Sequence, residues 1–118
     1  MATTYKVLGQ SSPSASTNTT LYTVPSAKSA VISTLTICNR SSSAAFRVAV
    51  RPSGATLANQ HYVVYDSQIA SGDSVFLTLG ITLATTDVIT VYSSSSTLSF
   101  SLFGSEIDVW VYVILIKI

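Results

Sequence analysis

Charge is scarce in this chain. Six Lys and Arg stand against five Asp and Glu, so charged residues make up 9% of the sequence and the formal net charge is +1. That balance supplies no basic field for a nucleic acid or an anionic membrane. Low charge beside 47% hydrophobic residues is also unusual for a free monomer, whose solubility rests on a charged surface. Much of the surface is therefore expected to be covered by partners.

Sulfur and imidazole are nearly absent as well. Cys38 is the only cysteine, so no disulfide forms within the chain, and its place in the apolar run Val31 to Cys38 suits a buried small hydrophobe. His61 is the only histidine and lies far from Cys38 in sequence, which leaves no zinc-ligand spacing. His61, Asp66 and many serines exist, but no G-x-S-x-G elbow accompanies them. The five glycines stand singly, so no phosphate-binding loop is present and they read as turn and bulge residues. The expectation is a protein without enzymatic activity, cofactor or metal. The start, Met1 to Lys6, has no apolar core of a signal peptide, and no run reaches the roughly 20 apolar residues of a spanning helix. No membrane association is expected, and synthesis is expected in the cytoplasm.

Ser and Thr fill close to a third of the chain, and no segment carries helical spacing. What recurs is period-two alternation in short segments rich in Val, Ile, Thr, Tyr and Phe, bounded by Gly, Pro, Asn, Asp or Ser. The fold class is therefore all-β, and at 118 residues one antiparallel β-sandwich domain, jelly-roll-like, is expected over 1–118. Strands are predicted at Tyr5 to Leu8, Leu21 to Val24, Ala30 to Asn39, Ala45 to Arg51, Gln60 to Tyr65, Ser74 to Leu79, Asp87 to Tyr92 and Thr97 to Phe103. Residues 10–20 read as a loop or a mobile arm.

In the strand from Ala30 to Asn39, predicted to be central, alternation puts Val31, Ser33, Leu35 and Ile37 on one face and Ile32, Thr34, Thr36 and Cys38 on the other. Arg40 to Ala44 reads as the turn of a hairpin to the next strand, where Phe46, Val48 and Val50 oppose Arg47, Ala49 and Arg51. The serine runs 41–43 and 93–96 read as hairpin turns. Asp73 and Asp87 fall in turns, where carboxylates bond backbone amides.

Arg40, Arg47 and Arg51, followed by Tyr62 and Tyr65, raise the question of a single-stranded nucleic-acid groove, but three arginines without a wider basic field do not make one. Arg47 and Arg51 share one strand face and suit hydrogen bonds to a neighbouring chain; both are candidate interface residues. A different reading is a carbohydrate-binding module presenting Tyr62, Tyr65, Tyr92 and Trp110, against which stands the expectation that several of these face inward.

The stretches Leu21-Tyr-Thr-Val-Pro25, Ala30 to Arg40, Phe46 to Pro52, Ala58-Asn-Gln-His-Tyr62 and Gly80 to Tyr92 resemble a small family of structural proteins in tailed phages, cyanobacterial phages included. The likeness spans roughly residues 5–107 by the same grammar of strands and turns. It implies a β-sandwich or jelly-roll-like module located in the virion, with the major capsid protein or tail proteins as partners and a homo-oligomeric state. Within that class, a capsid decoration or cement protein that stabilises the assembled shell stands beside a tail, baseplate or fibre component.

Residues 107–118 read as a C-terminal apolar strand. Alternation stops after Asp108, and a strand apolar on both faces must be covered twice. The face carrying Trp110, Tyr112, Ile114 and Ile116 needs a second cover, for which a neighbouring subunit is the natural candidate. Such a segment left as an open edge is an aggregation hazard. Deletion of Val109 to Ile118 is accordingly expected to destroy assembly or solubility; a truncated chain that stays soluble with an unchanged oligomeric state in size-exclusion chromatography would refute this.

Overall fold

The computed structural model describes residues 2–109. Eight strands are formed: β1 (Thr3–Ser11), β2 (Thr19–Thr23), β3 (Lys28–Asn39), β4 (Ala44–Arg51), β5 (Tyr62–Ile69), β6 (Ser74–Leu83), β7 (Val88–Ser93) and β8 (Leu98–Asp108). They build two four-stranded antiparallel sheets, β1-β8-β3-β6 and β2-β7-β4-β5. The pairs β1:β8, β2:β7, β3:β6 and β4:β5 are those of one long antiparallel ribbon folded at the β4–β5 connection. Rolling that ribbon adds the contacts β3:β8 and β4:β7. The result is a jelly roll, a sandwich of two Greek keys.

The alternation of the sequence explains the two layers. Leu35 and Ile37 of β3, Leu98, Phe100 and Leu102 of β8, Phe46 and Val48 of β4, and Ile89 and Val91 of β7 are all buried between the sheets. Phe46 and Phe100 meet edge to face across the layers, with ring centroids 6.4 Å apart, the arrangement favoured by the ring quadrupoles. As predicted, β3 is an inner strand of its sheet. Residues 10–20 divide between the end of β1, the start of β2 and a connecting loop. Pro13 is buried there, the Ser16 amide donates to the Ser93 carbonyl at 2.8 Å, and Arg40 donates to Ser12 Oγ at 2.7 Å.

Three sequence expectations are corrected. β3 and β4 do not form a hairpin, because they belong to opposite sheets. Ser41–Ser43, like the serines before β8, form a corner between layers rather than a hairpin turn. Cys38 is exposed rather than buried. Its strand also carries a bulge at Ser33, where pairing jumps from Ile32 to Thr34 against both neighbours. The extra residue shifts the phase: Ala30 and Ile32 now share the inner face with Leu35 and Ile37, while Val31 turns outward.

This bulge belongs to a line that crosses the whole sheet. β8 runs through Leu102-Phe103-Gly104 without an insertion, β1 inserts Leu8 and β3 inserts Ser33 against it, and β6 sets Leu79 and Gly80 against Ser33. Gly80 takes φ 60°, a backbone region that glycine enters without steric cost. Gly104 is required for another reason: a Cβ there would lie 2.1 Å from the Val31 carbonyl oxygen.

The sheet-to-sheet corners meet at Asn39, which is 1% exposed. Its Nδ2 donates to the carbonyls of Ser42 and Ile69, both at 2.9 Å. Its Oδ1 accepts from the Ser41 amide at 3.2 Å and from Thr97 Oγ1 at 2.9 Å. Its backbone is bonded to Asp73 and Gly72 of the β5–β6 connection. One residue thus joins the β3–β4, β5–β6 and β7–β8 corners. Removing the amide leaves the buried Ile69 carbonyl without this donor, and each unsatisfied buried group costs about 1–3 kcal/mol. Asn39→Ala is expected to destabilise the chain by about 3 kcal/mol in urea denaturation; a loss of under about 1 kcal/mol would mean that the corners hold without it.

Candidate interaction surfaces

The outer face of the β2-β7-β4-β5 sheet carries a layered aromatic cluster. Arg47 of β4 stands opposite Tyr92 of β7. β5 sets two residues, Tyr65 and Asp66, against it, because pairing jumps from Phe46:Ser67 to Val48:Val64. Asp66 takes φ 51° at this bulge, a conformation more accessible to Asp than to most side chains. The guanidinium lies between the rings of Tyr65 and Tyr92, 4.2 Å from each centroid. Arg47 Nε donates to Asp66 Oδ1 at 2.6 Å and Nη2 to Oδ2 at 3.3 Å. These hydrogen bonds to Asp66 raise the Arg47 pKa above its ordinary value.

Arg51 shares that outer face, four residues along, and is also committed. It donates to the carbonyls of Ala55 at 2.7 Å and Gly54 at 3.1 Å, and to Thr90 Oγ1 at 3.2 Å. It ties down the turn Pro52–Gly54, whose Ser53 amide is held by Asp87 Oδ1 at 2.8 Å. Both candidate interface arginines therefore lie where alternation puts them, each with a job inside the chain. Trp110, Tyr112, Ile114 and Ile116 lie outside the described residues.

On the opposite sheet the outer face is largely Ser and Thr but carries an apolar patch. Tyr5 is 84% exposed, and Val7 with it; together with Val31 and Phe103 they surround Gly104 in an open depression of about 590 Å³. The edge strand β6 adds Phe76, 71% exposed. Sequence reasoning missed Phe76, although its signal is visible: Val75, Leu77, Leu79, Ile81 and Leu83 keep one phase, and Phe76 falls among Thr78, Gly80 and Thr82 in the other.

Edge strands need protection against pairing with other chains, and the four edges formed among the described residues differ in how they have it. β1 carries Lys6 and a bulge, β2 is five residues long, and β5 carries Asp66 and two register shifts. β6 is ten residues long with neither charge nor proline, and only the Leu79–Gly80 bulge interrupts it.

The buried acid Glu106, 5% exposed, is structural. It accepts from Tyr22 Oη at 2.6 Å and pairs with Lys6 Nζ at 3.0 Å, so it links β8 to β2 and β1. Next to it Lys28 pairs with Asp108 at 2.5 Å. Burial pushes the Glu106 carboxyl up, but the hydrogen bonds from Tyr22 and Lys6 and the charges of Lys6 and Lys28 outweigh it, leaving its pKa below the ordinary value. Burial and the same carboxylate push the Tyr22 hydroxyl up. Among the described residues no cluster of His, Cys, Asp and Glu could hold a metal ion, and no helix is long and apolar enough to cross a membrane.

No model of a known protein family matches the chain, and a search of curated proteins gives no match. Among solved structures, a chain from the structure of the infectious bursal disease virus Gx strain is similar at 14% identity and a TM-score of 0.48. The match covers 89% of this chain and 30% of that one.

A carboxyl whose folded pKa is depressed stabilises the fold above its unfolded pKa of about 4.3, and this contribution is lost as pH falls through the folded value. Glu106→Gln is therefore expected to lower Tm near neutral pH, with the gap to the parent chain closing as both are acidified. A gap that stays constant in thermal melts across that range would show that the Glu106 charge does not contribute.

Proposed function

We propose that the chain is a virion structural protein of a tailed phage, a capsid decoration or cement protein that docks as an oligomer and stabilises the assembled shell. The observation that carries this reading is the uncharged, ten-residue edge β6 with exposed Phe76, on the sheet whose outer face bears the apolar patch of Tyr5, Val7, Val31 and Phe103. A protein that remained a monomer would need such an edge blunted. A second copy running antiparallel to β6 would satisfy the backbone groups that no described strand pairs and extend the sheet, with no like charges brought together on the two β6 strands. The depression around Gly104 on the same sheet then offers the surface that meets the shell. Support at the level of the fold is analogy: jelly rolls are frequent in viral capsid domains, and in lectins. The resemblance of the strand-and-turn pattern to tailed-phage structural proteins points the same way.

Phe76→Lys places two lysines near each other across the paired edges, where like charges oppose association. The purified chain is expected to be an oligomer in light scattering and to co-sediment with intact particles, while Phe76→Lys is expected to be a folded monomer that stays in the supernatant. Gold-labelled antibody spread over heads in electron micrographs fits the cement role, whereas label confined to tails would transfer the chain to the tail or baseplate. A parent chain that is monomeric and fails to co-sediment would sink the proposal.

A further inference from the structure

The side of Tyr65 away from the sheet centre opens onto a second feature of the same cluster. Tyr62 and Tyr65 meet at 83° with centroids 4.9 Å apart, forming a corner of two perpendicular rings. With Asn59 they line an open depression of about 390 Å³. Tyr65 is 58% exposed. Tyr62, Tyr65 and Tyr92 all lie on the outer face of their sheet, which removes the objection that these aromatics face inward.

We infer that this corner is a binding site for a neutral sugar, a pyranose lying against the tyrosine rings with its hydroxyls bonded by Asn59 and the phenols. Two observations and one general property of sugars support it. The site is preformed: Arg47 backs Tyr65, the Asp66 bulge fixes that residue on the strand, and the turn bearing Asn59 is pinned by the Ala58 amide donating to His61 Nδ1 at 3.1 Å. Little conformational entropy is then lost on binding. The polar groups at the rim are available, since the Asn59 amide and the hydroxyls of Tyr62 and Tyr65 make no hydrogen bond within the described residues, in contrast to the buried Tyr22 hydroxyl. The C–H groups of a pyranose carry the partial positive charge that suits the negative face of an aromatic ring.

The electrostatics select the class of ligand. The Arg47 charge is paired with Asp66 and lies against Tyr65, so a cationic ligand would meet a like charge at the ring it needs. An anionic ligand finds that guanidinium already bonded to a carboxylate and between two rings. A neutral, polyhydroxylated ring fits both conditions. This inference does not rest on the assembly role, since the corner lies on β5 and its preceding turn and the proposed docking edge lies on β6 of the other sheet.

The test is a protein-observed NMR titration of the full chain with the methyl glycosides of glucose, galactose, mannose and N-acetylglucosamine. At least one is expected to shift the amides of residues 58–66 and the Asn59 side-chain amide. Binding is expected to weaken by roughly tenfold or more in Asn59→Ala, an exposed position whose change leaves the fold intact, and in Tyr65→Ala. Phe76→Lys is expected to bind as the parent does, which separates this site from assembly. Absence of shifts with all four sugars, or shifts that persist in Asn59→Ala and Tyr65→Ala, would overturn the inference.

Discussion

A chain that crosses between two sheets must turn its backbone through the interior's edge, where amides and carbonyls leave their ladders and still need partners. In this protein the side chain of Asn39 supplies many of them. A carboxamide is suited to the place because it offers donors and acceptors from one short, uncharged group; here they serve the adjacent Ser41 and Ser42 and, far along the chain, Ile69 and Thr97. The β3–β4, β5–β6 and β7–β8 corners are thereby fixed relative to one another, and with them the alignment of the two sheets. The serine-rich composition serves the same end. At the β7–β8 corner the Ser93 hydroxyl accepts from the Ser95 amide and the Ser94 hydroxyl from the Ala45 amide, beside the Arg40 guanidinium that donates to the Ser96 carbonyl.

The sheet that those corners position is deformed along one line, and the deformation sets what it presents. Each insertion beside β8 bends its strand and raises the local twist. Val31 O, Ile32 Cα and the core-packed Leu8 crowd Gly104, so that inward-phase position of β8 admits only glycine. On the outer phase Tyr5, Val7, Val31 and Phe103 line the open depression beside it. The same shift that corrected the phase of β3 turned Val31 outward, so the internal packing of Ala30 and Ile32 and the external apolar surface have one cause.

Much of the fold was legible because period-two alternation survives wherever one face of a strand is buried. The strands of the core and the opposition of Phe46, Val48 and Val50 to Arg47, Ala49 and Arg51 follow directly from it. Phase fails at insertions: nothing in Ile32-Ser33-Thr34 announces a bulge, since its cause lies in strands far along the chain. Topology fails at the corners, because a serine turn between alternating strands looks the same whether the next strand stays in the sheet or crosses to the other. Asn39 was legible only as the end of a strand; its role depends on Ile69 and Thr97, which sequence distance hides. Of the residues proposed from sequence for an interface, Arg47 and Arg51 fall on one outer face with their charges occupied, and the aromatic corner beside Arg47 depends on a bulge at Asp66 that alternation does not reveal.

The distribution of charge constrains how this protein can associate. Every lysine and arginine among the described residues is bonded within the chain: Lys6 to Glu106, Lys28 to Asp108, Arg40 to Ser12 and the Ser96 carbonyl, Arg47 to Asp66, and Arg51 to the turn at Gly54 and Ala55. A partner that recruited one of these cations would have to break a bond that supports the fold and reseat an acid or carbonyl in exchange. Long-range steering by a net charge of +1 is weak, and salt would screen what remains. Among the described residues, what the surface leaves uncommitted is backbone at a sheet edge, apolar side chains around Gly104, and neutral phenol and amide groups. Contacts built from these depend on shape and desolvation rather than ion pairs, so they change little with ionic strength. That behaviour suits a protein held at fixed positions in an assembly better than one that finds its partner by charge.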